Sequence, residues 1–295
     1  MLRIRDDVGR ELLIPRPPRR VVSLVPSDTL TLFDLGAGAR VVGRSRYCVE
    51  PGAELEAVPT CGGTKDTDVE AVLALEPELV IANKEENARG PIEALMKRGA
   101  PVFVSFPRTA SAGVAHMARL ARILGIERED RARECIRRGY QAVERALAAR
   151  TEVARAVFLP IWMDPLMTLG LDTFASDMLA LAGARNVFSD RVRRYPLAAD
   201  LGLRNSLPPE QVGERDTRYP RVTLAEVAER GPEAVLLPDE PHPFSADDAA
   251  VFHAALPSAD VRFCDGRDLF WYGSRTAEAL PRLTALIQEL SQQRA

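Results

Sequence analysis

In a chain with 22 prolines and 19 glycines, residues 127–150 contain no proline and one glycine, Gly139. Ile136, Tyr140, Val143 and Leu147 recur among charged residues at helical spacing, which predicts a helix with one apolar stripe. At ~1.5 Å per residue such a helix spans roughly 35 Å, enough to run from one domain to another. Whatever this chain folds into must place a long rigid rod near its middle.

On both sides of the rod the pattern is short apolar runs alternating with helical segments. After a hairpin turning at Asp6–Gly9, residues 20–25, 39–43, 79–82 and 102–105 read as strands, with helices over 29–35, 69–75 and 91–99. Residues 156–162, 235–238 and 261–264 read as strands of a second series, with helices over 174–182, 224–229, 247–255 and 276–292, and residues 183–188 as a connection or strand. Residues 190–220 form a polar, proline-containing excursion flanked by the echoes Arg193-Arg194-Tyr195-Pro196 and Thr217-Arg218-Tyr219-Pro220. Strand–helix alternation predicts parallel sheets. The expected fold is α/β: two βαβ lobes over 1–108 and 155–295, joined by helices over 109–154, with a ligand cleft between the lobes.

Composition narrows the function. A formal net charge of −3 offers no basic field for nucleic acid, and no apolar run reaches the ~18 residues of a membrane span. Neither a glycine-rich dinucleotide fingerprint nor a phosphate-binding loop is present, although Cys61-Gly62-Gly63-Thr64-Lys65 has a phosphate-friendly composition. Three histidines, none at i, i+4 spacing, give no basis for a protein-only metal site. Cys48, Cys61, Cys135 and Cys264 are scattered and read as free thiols, with Cys48 and Cys61 the one pair close enough in sequence to question.

The chemically distinctive residues follow strands, where open α/β sheets bind ligands. In the first series these are Ser27, Tyr47, Cys48, Cys61 and Asn83; in the second, Trp162, Met167, His242, Trp271, Tyr272 and Arg275. Aromatic and methionine-bearing loops suit a large, mostly apolar ligand held by few polar contacts.

Several segments together resemble the helical-backbone periplasmic binding proteins, the substrate receptors of ABC importers for vitamin B12, ferric siderophores and haem. They are DDVGRELLIPRPPRRVVSLVPSDT, VVGRSRYCVEP, CGGTKDTDVEAVLALEPELVIA, TFASDMLALAGARNVF and VTLAEVAERGPEAVLL. The nearest subgroup is that of the vitamin B12 receptors. The resemblance implies a non-catalytic protein with no intrinsic cofactor and a cobalamin or other corrinoid as ligand; a ferric siderophore or haem is the alternative. It places Tyr47 against the corrin ring, Cys61, Asn83 and Met167 near positions where the family has aromatic contacts, and Tyr219 at a family tryptophan. Trp271, Tyr272 and Arg275 fall in the last ligand loop, and His242 or Cys48 is a candidate axial metal ligand.

The family docks on its permease through one surface glutamate per lobe. Glu70 matches the first, and Glu226 lies beside the second position. The expected partners are thus a small-molecule metal chelate and an ABC transporter permease, with no nucleic acid, no membrane insertion and a monomeric state. The opening residues contain no 7–15-residue apolar stretch, so the sequence as given predicts a cytoplasmic protein, or a periplasmic one if an export signal precedes it. An enzyme acting on a corrinoid or metal chelate, with Glu85, Glu86, Asp239 or Glu240 as acid–base groups, is a further reading.

Overall fold

The computed structural model describes residues 1–149 and 154–292, and the chain divides into two compact units. The first takes Met1–Ala142 and a returning segment, Trp271–Ala277; the second takes Val143–Phe270 and the chain from Glu278 onward. The division falls inside the long helix, whereas the sequence reading sets a linking segment apart at 109–154. The physical reason is that Ala132, Cys135 and Ile136 of that helix pack into the core of the first unit.

The first unit opens with strands β1 (Leu2–Arg5) and β2 (Glu11–Ile14), an antiparallel hairpin. Asp6 closes the turn by accepting the N–H groups of Val8 and Arg10. Then come β3 (Val21–Ser23), helix α1 (Pro26–Asp34), β4 (Val41–Arg44), α2 (Val69–Ala74), β5 (Leu79–Asn83), α3 (Arg89–Lys97) and β6 (Val102–Ser105). Helices α4 (Ala110–Leu124) and α5 (Asp130–Ala148) follow. The helix expected over 127–150 therefore ends at Ala148, and residue 150 lies outside the described residues.

The four strands pair in parallel in the order β4-β3-β5-β6. Alternate residues leave a strand on opposite faces. Val21, Leu79, Ile81 and Phe103 enter one core, while Val22, Val80, Ala82, Val102 and Val104 enter another. Both faces are covered, which is why these strands read as unbroken apolar runs rather than alternating ones. Each large apolar side chain so buried contributes roughly 1.5–3 kcal/mol.

The second unit contains β7 (Arg155–Phe158), β8 (Pro160–Met163), β9 (Leu166–Thr168), α6 (Phe174–Leu181), β10 (Ala184–Asn186), α7 (Leu197–Asp200), α8 (Pro209–Val212) and α9 (Leu224–Arg230). It continues with β11 (Ala234–Pro238), α10 (Ala246–Ala255), β12 (Asp260–Cys264), α11 (Gly266–Phe270) and α12 (Thr276–Gln292). Its parallel sheet has the order β10-β7-β11-β12, around a core of Phe158, Phe188, Val235, Leu237 and Phe252.

Three local expectations are corrected. The helix expected from Thr29 begins at Pro26, because proline suits the first helical turn; Asp28 is then inside the helix and does not cap it. The run read as one strand over 156–162 breaks before Pro160, and residues 160–168 form the antiparallel hairpin β8–β9. The excursion at 190–220 holds two single-turn helices, α7 and α8. All four cysteines are unpaired.

Candidate functional site

In the first sheet the chain steps from β3 outward to β4 and then back to β5, so the crevice for a ligand is at the carboxyl ends of β3 and β5. That crevice is filled from within the unit. Tyr272, on the returning segment, is 3% exposed. Its hydroxyl donates to Asp28 Oδ2 at 2.8 Å, lies 2.9 Å from Ser105 Oγ and accepts from Asn83 Nδ2 at 3.2 Å. Burial, followed by the charge of Asp28, holds the phenol well above its ordinary pKa. The other carboxylate oxygen of Asp28 is 2.7 Å from His116 Nε2, and His116 Nδ1 is 3.4 Å from Arg119 Nη2. Arginine only donates, so Nδ1 accepts and Nε2–H donates to Asp28.

Arg119 also binds Asp7 through two contacts of 2.5 and 2.8 Å. Burial alone would raise the pKa of Asp7, but the Arg119 hydrogen bonds and the Phe106 N–H outweigh it and hold the carboxyl below its usual value. The chain Asp7–Arg119–His116–Asp28–Tyr272 thus anchors the returning segment in the first unit. Gly273 makes the approach possible. Its φ is +86°, and a Cβ there would lie 2.3 Å from Thr31 Oγ1.

Several residues expected to meet ligand are therefore structural neighbours of this clasp. Asn83 uses its side-chain oxygen on the N–H groups of Glu85 and Glu86. Ser27, Cys48, Cys61, Asn83, Trp271 and Tyr272 are all buried. Burial pushes the Cys48 thiol up to about 12, and the Cys61 thiol also upward. Tyr47 is the exception, 53% exposed with the Arg46 guanidinium 5.8 Å from its ring. Arg275 is half-buried at the end of a single 3-10 turn.

The second sheet reverses between β7 and β11, and there the equivalent crevice carries presented aromatics. β7 leads into the β8–β9 hairpin, and β11 into His242. Trp162 is 44% exposed; its indole N–H donates to the Asp164 carbonyl at 3.0 Å. The His242 ring lies 5.1 Å from Trp162 and edge-on to Phe244 at 4.7 Å. Asp248, whose carboxyl is held low first by the Ser245 N–H, is 3.9 Å from His242 Nε2. Trp162 pairs with Met167 across the hairpin, and Met167 pairs with Arg221 on the next segment. Directly paired residues share a face, so Trp162, Met167 and Arg221 form one row. Tyr219 is half-buried with the Arg218 guanidinium 5.3 Å from its ring.

Among the described residues no group of three or more His, Cys, Asp or Glu could hold a metal ion, and no helix is long and apolar enough to cross a membrane. Glu70, in the first turn of α2, is exposed and bound by Arg98 at 2.6 and 3.3 Å, which lowers its pKa. Glu226, in the first turn of α9, lies 3.0 Å from Arg191 and 3.9 Å from Arg230. These three residues border an open depression of about 220 Å³.

Residues 21–233 match the periplasmic binding protein family. This chain belongs to that family. Its members are binding proteins of ABC importers rather than enzymes. Curated relatives named vitamin B12-binding protein include one from Photorhabdus laumondii, 29% identical over 182 residues, covering 61% of this chain and 64% of that protein. Another, from Yersinia pestis, is 32% identical over 180 residues, covering 60% of this chain and 62% of that protein. This chain thus spans somewhat under two thirds of the length of these relatives.

Among solved structures, the periplasmic vitamin B12-binding protein of Vibrio cholerae has a TM-score of 0.72 at 17% identity, over 94% of this chain and 99% of that one. A periplasmic heme-binding protein from Roseiflexus has a TM-score of 0.70 at 21% identity, over 92% of this chain and 98% of that one. The molybdate periplasmic binding protein of Haemophilus influenzae has a TM-score of 0.72 at 16% identity, over 99% of this chain and 93% of that one. At these identities the structures establish a shared periplasmic-binding-protein fold.

The polar residues of this site that sequence reasoning missed are His116 and Ser105; Arg193 and Arg221, whose Nε atoms are buried without a partner, were also passed over. A lone histidine in an amphipathic helix carries no signal of its partner. The arginines had a faint one, because each stands at or next to a flanking echo of the excursion. Arg193 N–H donates to the Thr217 carbonyl at 2.7 Å, so the two echoes meet.

Proposed function

We propose that this protein binds a planar metal chelate, foremost a cobalamin or related corrinoid, and delivers it to the permease of an ABC importer. The observation that carries this reading is the exposed Trp162 with the His242 ring tilted against it at 5.1 Å and Met167 on the same face, at the carboxyl edge of the second sheet. An indole face and a thioether suit the apolar face of a macrocycle. The names of the curated relatives favour a corrinoid over haem.

Hydroxocobalamin titration, followed by co-elution on gel filtration and by the visible spectrum, tests the reading. Stoichiometric binding at micromolar or lower Kd supports it. Absence of binding discards the corrinoid, and the same assay then passes to haem and ferric siderophores. A band shift lost in His242→Ala makes His242 an axial ligand. For delivery, Glu70 is the docking acid to test first, since its side chain is 75% exposed against 27% for Glu226. Membership of the family supports delivery from outside the cytoplasmic membrane, which fractionation of the native cell checks.

A further inference from the structure

Two guanidinium groups in the second unit lack an acidic partner. Arg193 Nε and Arg221 Nε are both buried from solvent, and neither has a hydrogen-bond partner. No salt bridge involves either side chain among the described residues. The carboxylate placed to serve them, Asp200, is committed elsewhere. Its oxygens accept the backbone N–H groups of Arg194 at 2.8 Å and Arg221 at 2.6 Å, and the guanidinium of Arg191 at 3.1 Å. Asp216 is held by Arg218.

The Arg193 side chain is held against an aromatic ring, and the Arg221 backbone is held in a β-bridge. The Arg193 guanidinium lies 5.0 Å from the Tyr195 ring, and the Tyr195 hydroxyl donates to the Asp216 carbonyl at 2.8 Å. Arg221 is opposite Met167, in the row that begins with Trp162. Burial, and then the charge of Arg193, lowers the pKa of Arg221, and outweighs the opposing charge of Asp200. Desolvated donors without acceptors are costly, and a pair of arginines matches the oxygens of a phosphate or carboxylate.

The geometry points to Arg193 and Arg221 as an oxyanion subsite at the edge of the Trp162–Met167 face. If the ligand is cobalamin, the oxyanion is the phosphodiester of its nucleotide loop, and this assignment rests on the function proposed above. A free tetrahedral oxyanion has the same chemistry.

Two measurements separate these sources, using the whole chain and its Arg193→Gln/Arg221→Gln variant, with Arg204→Gln as an exposed control. The first is thermal unfolding in molybdate against chloride at matched ionic strength. Molybdate should raise the midpoint of wild type and control, and leave the double variant unmoved. The second compares cobalamin with cobinamide, which lacks the nucleotide and its phosphodiester. Wild type should prefer cobalamin by about tenfold or more, the equivalent of one added charge-assisted contact, and the double variant should lose that preference.

Loss of preference assigns the oxyanion to the corrinoid. A molybdate response confined to wild type and control, with no corrinoid bound, keeps the subsite and removes the corrinoid reading. A corrinoid bound with the same preference by wild type and double variant, or identical molybdate responses without corrinoid binding, overturns the subsite. Should the double variant fold poorly, the single substitution Arg221→Met serves in the same two assays.

Discussion

Replacing Tyr272 with phenylalanine keeps the ring and deletes one hydroxyl, which isolates the clasp from the packing around it. That hydroxyl donates to the buried carboxylate of Asp28 at 2.8 Å and touches Ser105 and Asn83 at 2.9 and 3.2 Å. A hydrogen bond to a charged group is worth roughly 1.5–3 kcal/mol, and polar groups left buried without partners add to the loss. The expected cost is about 3 kcal/mol. At ~2–4 °C per kcal/mol for a chain of this class, the unfolding midpoint should fall by about 6–12 °C. Urea unfolding followed by fluorescence gives the free energy, since Trp271, the preceding residue, is buried. Tyr47→Phe, at an exposed site, is the control and should stay within about 0.5 kcal/mol. A cycle with Asp28→Asn should show coupling of about 1.5–3 kcal/mol. If Tyr272→Phe is as stable as the control, the clasp does not anchor the returning segment and the reasoning fails.

The same structure sets other outcomes. Gly273→Ala should destabilise by about 2 kcal/mol or more in urea unfolding, because the alanine meets both a left-handed φ and Thr31 Oγ1. The depressed carboxyl of Asp7 adds stability that is present above its unfolded pKa and is lost as pH falls through the folded value. Below about pH 4, Asp7→Asn should therefore flatten the acid dependence seen in wild type. Tyr272 has the opposite sign: its raised pKa gives stability present below its unfolded value and lost on going further alkaline. Absorbance at alkaline pH should show one of the five tyrosines ionising only on unfolding. With Cys48 buried and its thiol pushed up to about 12, a thiol reagent should count fewer than four groups in the native protein. It should count four in denaturant without reductant.

Much of the architecture was legible because it depends on short-range periodicity. The parallel strands appear as apolar runs because both faces are covered, and the Asp68 cap of α2 lies where an aspartate precedes a helical pattern. The β8–β9 hairpin was missed although Asp164-Pro165 is a turn signal, because the residues on either side are apolar without the alternation of a half-buried strand. The candidate site was legible only in part. Tyr47 and Trp162 are exposed, whereas Asn83 and Tyr272, chosen on the same grounds, face each other inside the first unit.

By itself the sequence determined two α/β series around one long helix and the family to which they belong. These follow from local patterning of apolar residues, which survives wide divergence in side chains. Only the tertiary structure decided which loop residues remain available to a ligand. Asp28, His116 and Tyr272 are far apart in sequence, as are Arg193 and Arg221 on a smaller scale. Whether a polar side chain is satisfied depends on which groups the fold brings within about 3 Å of it.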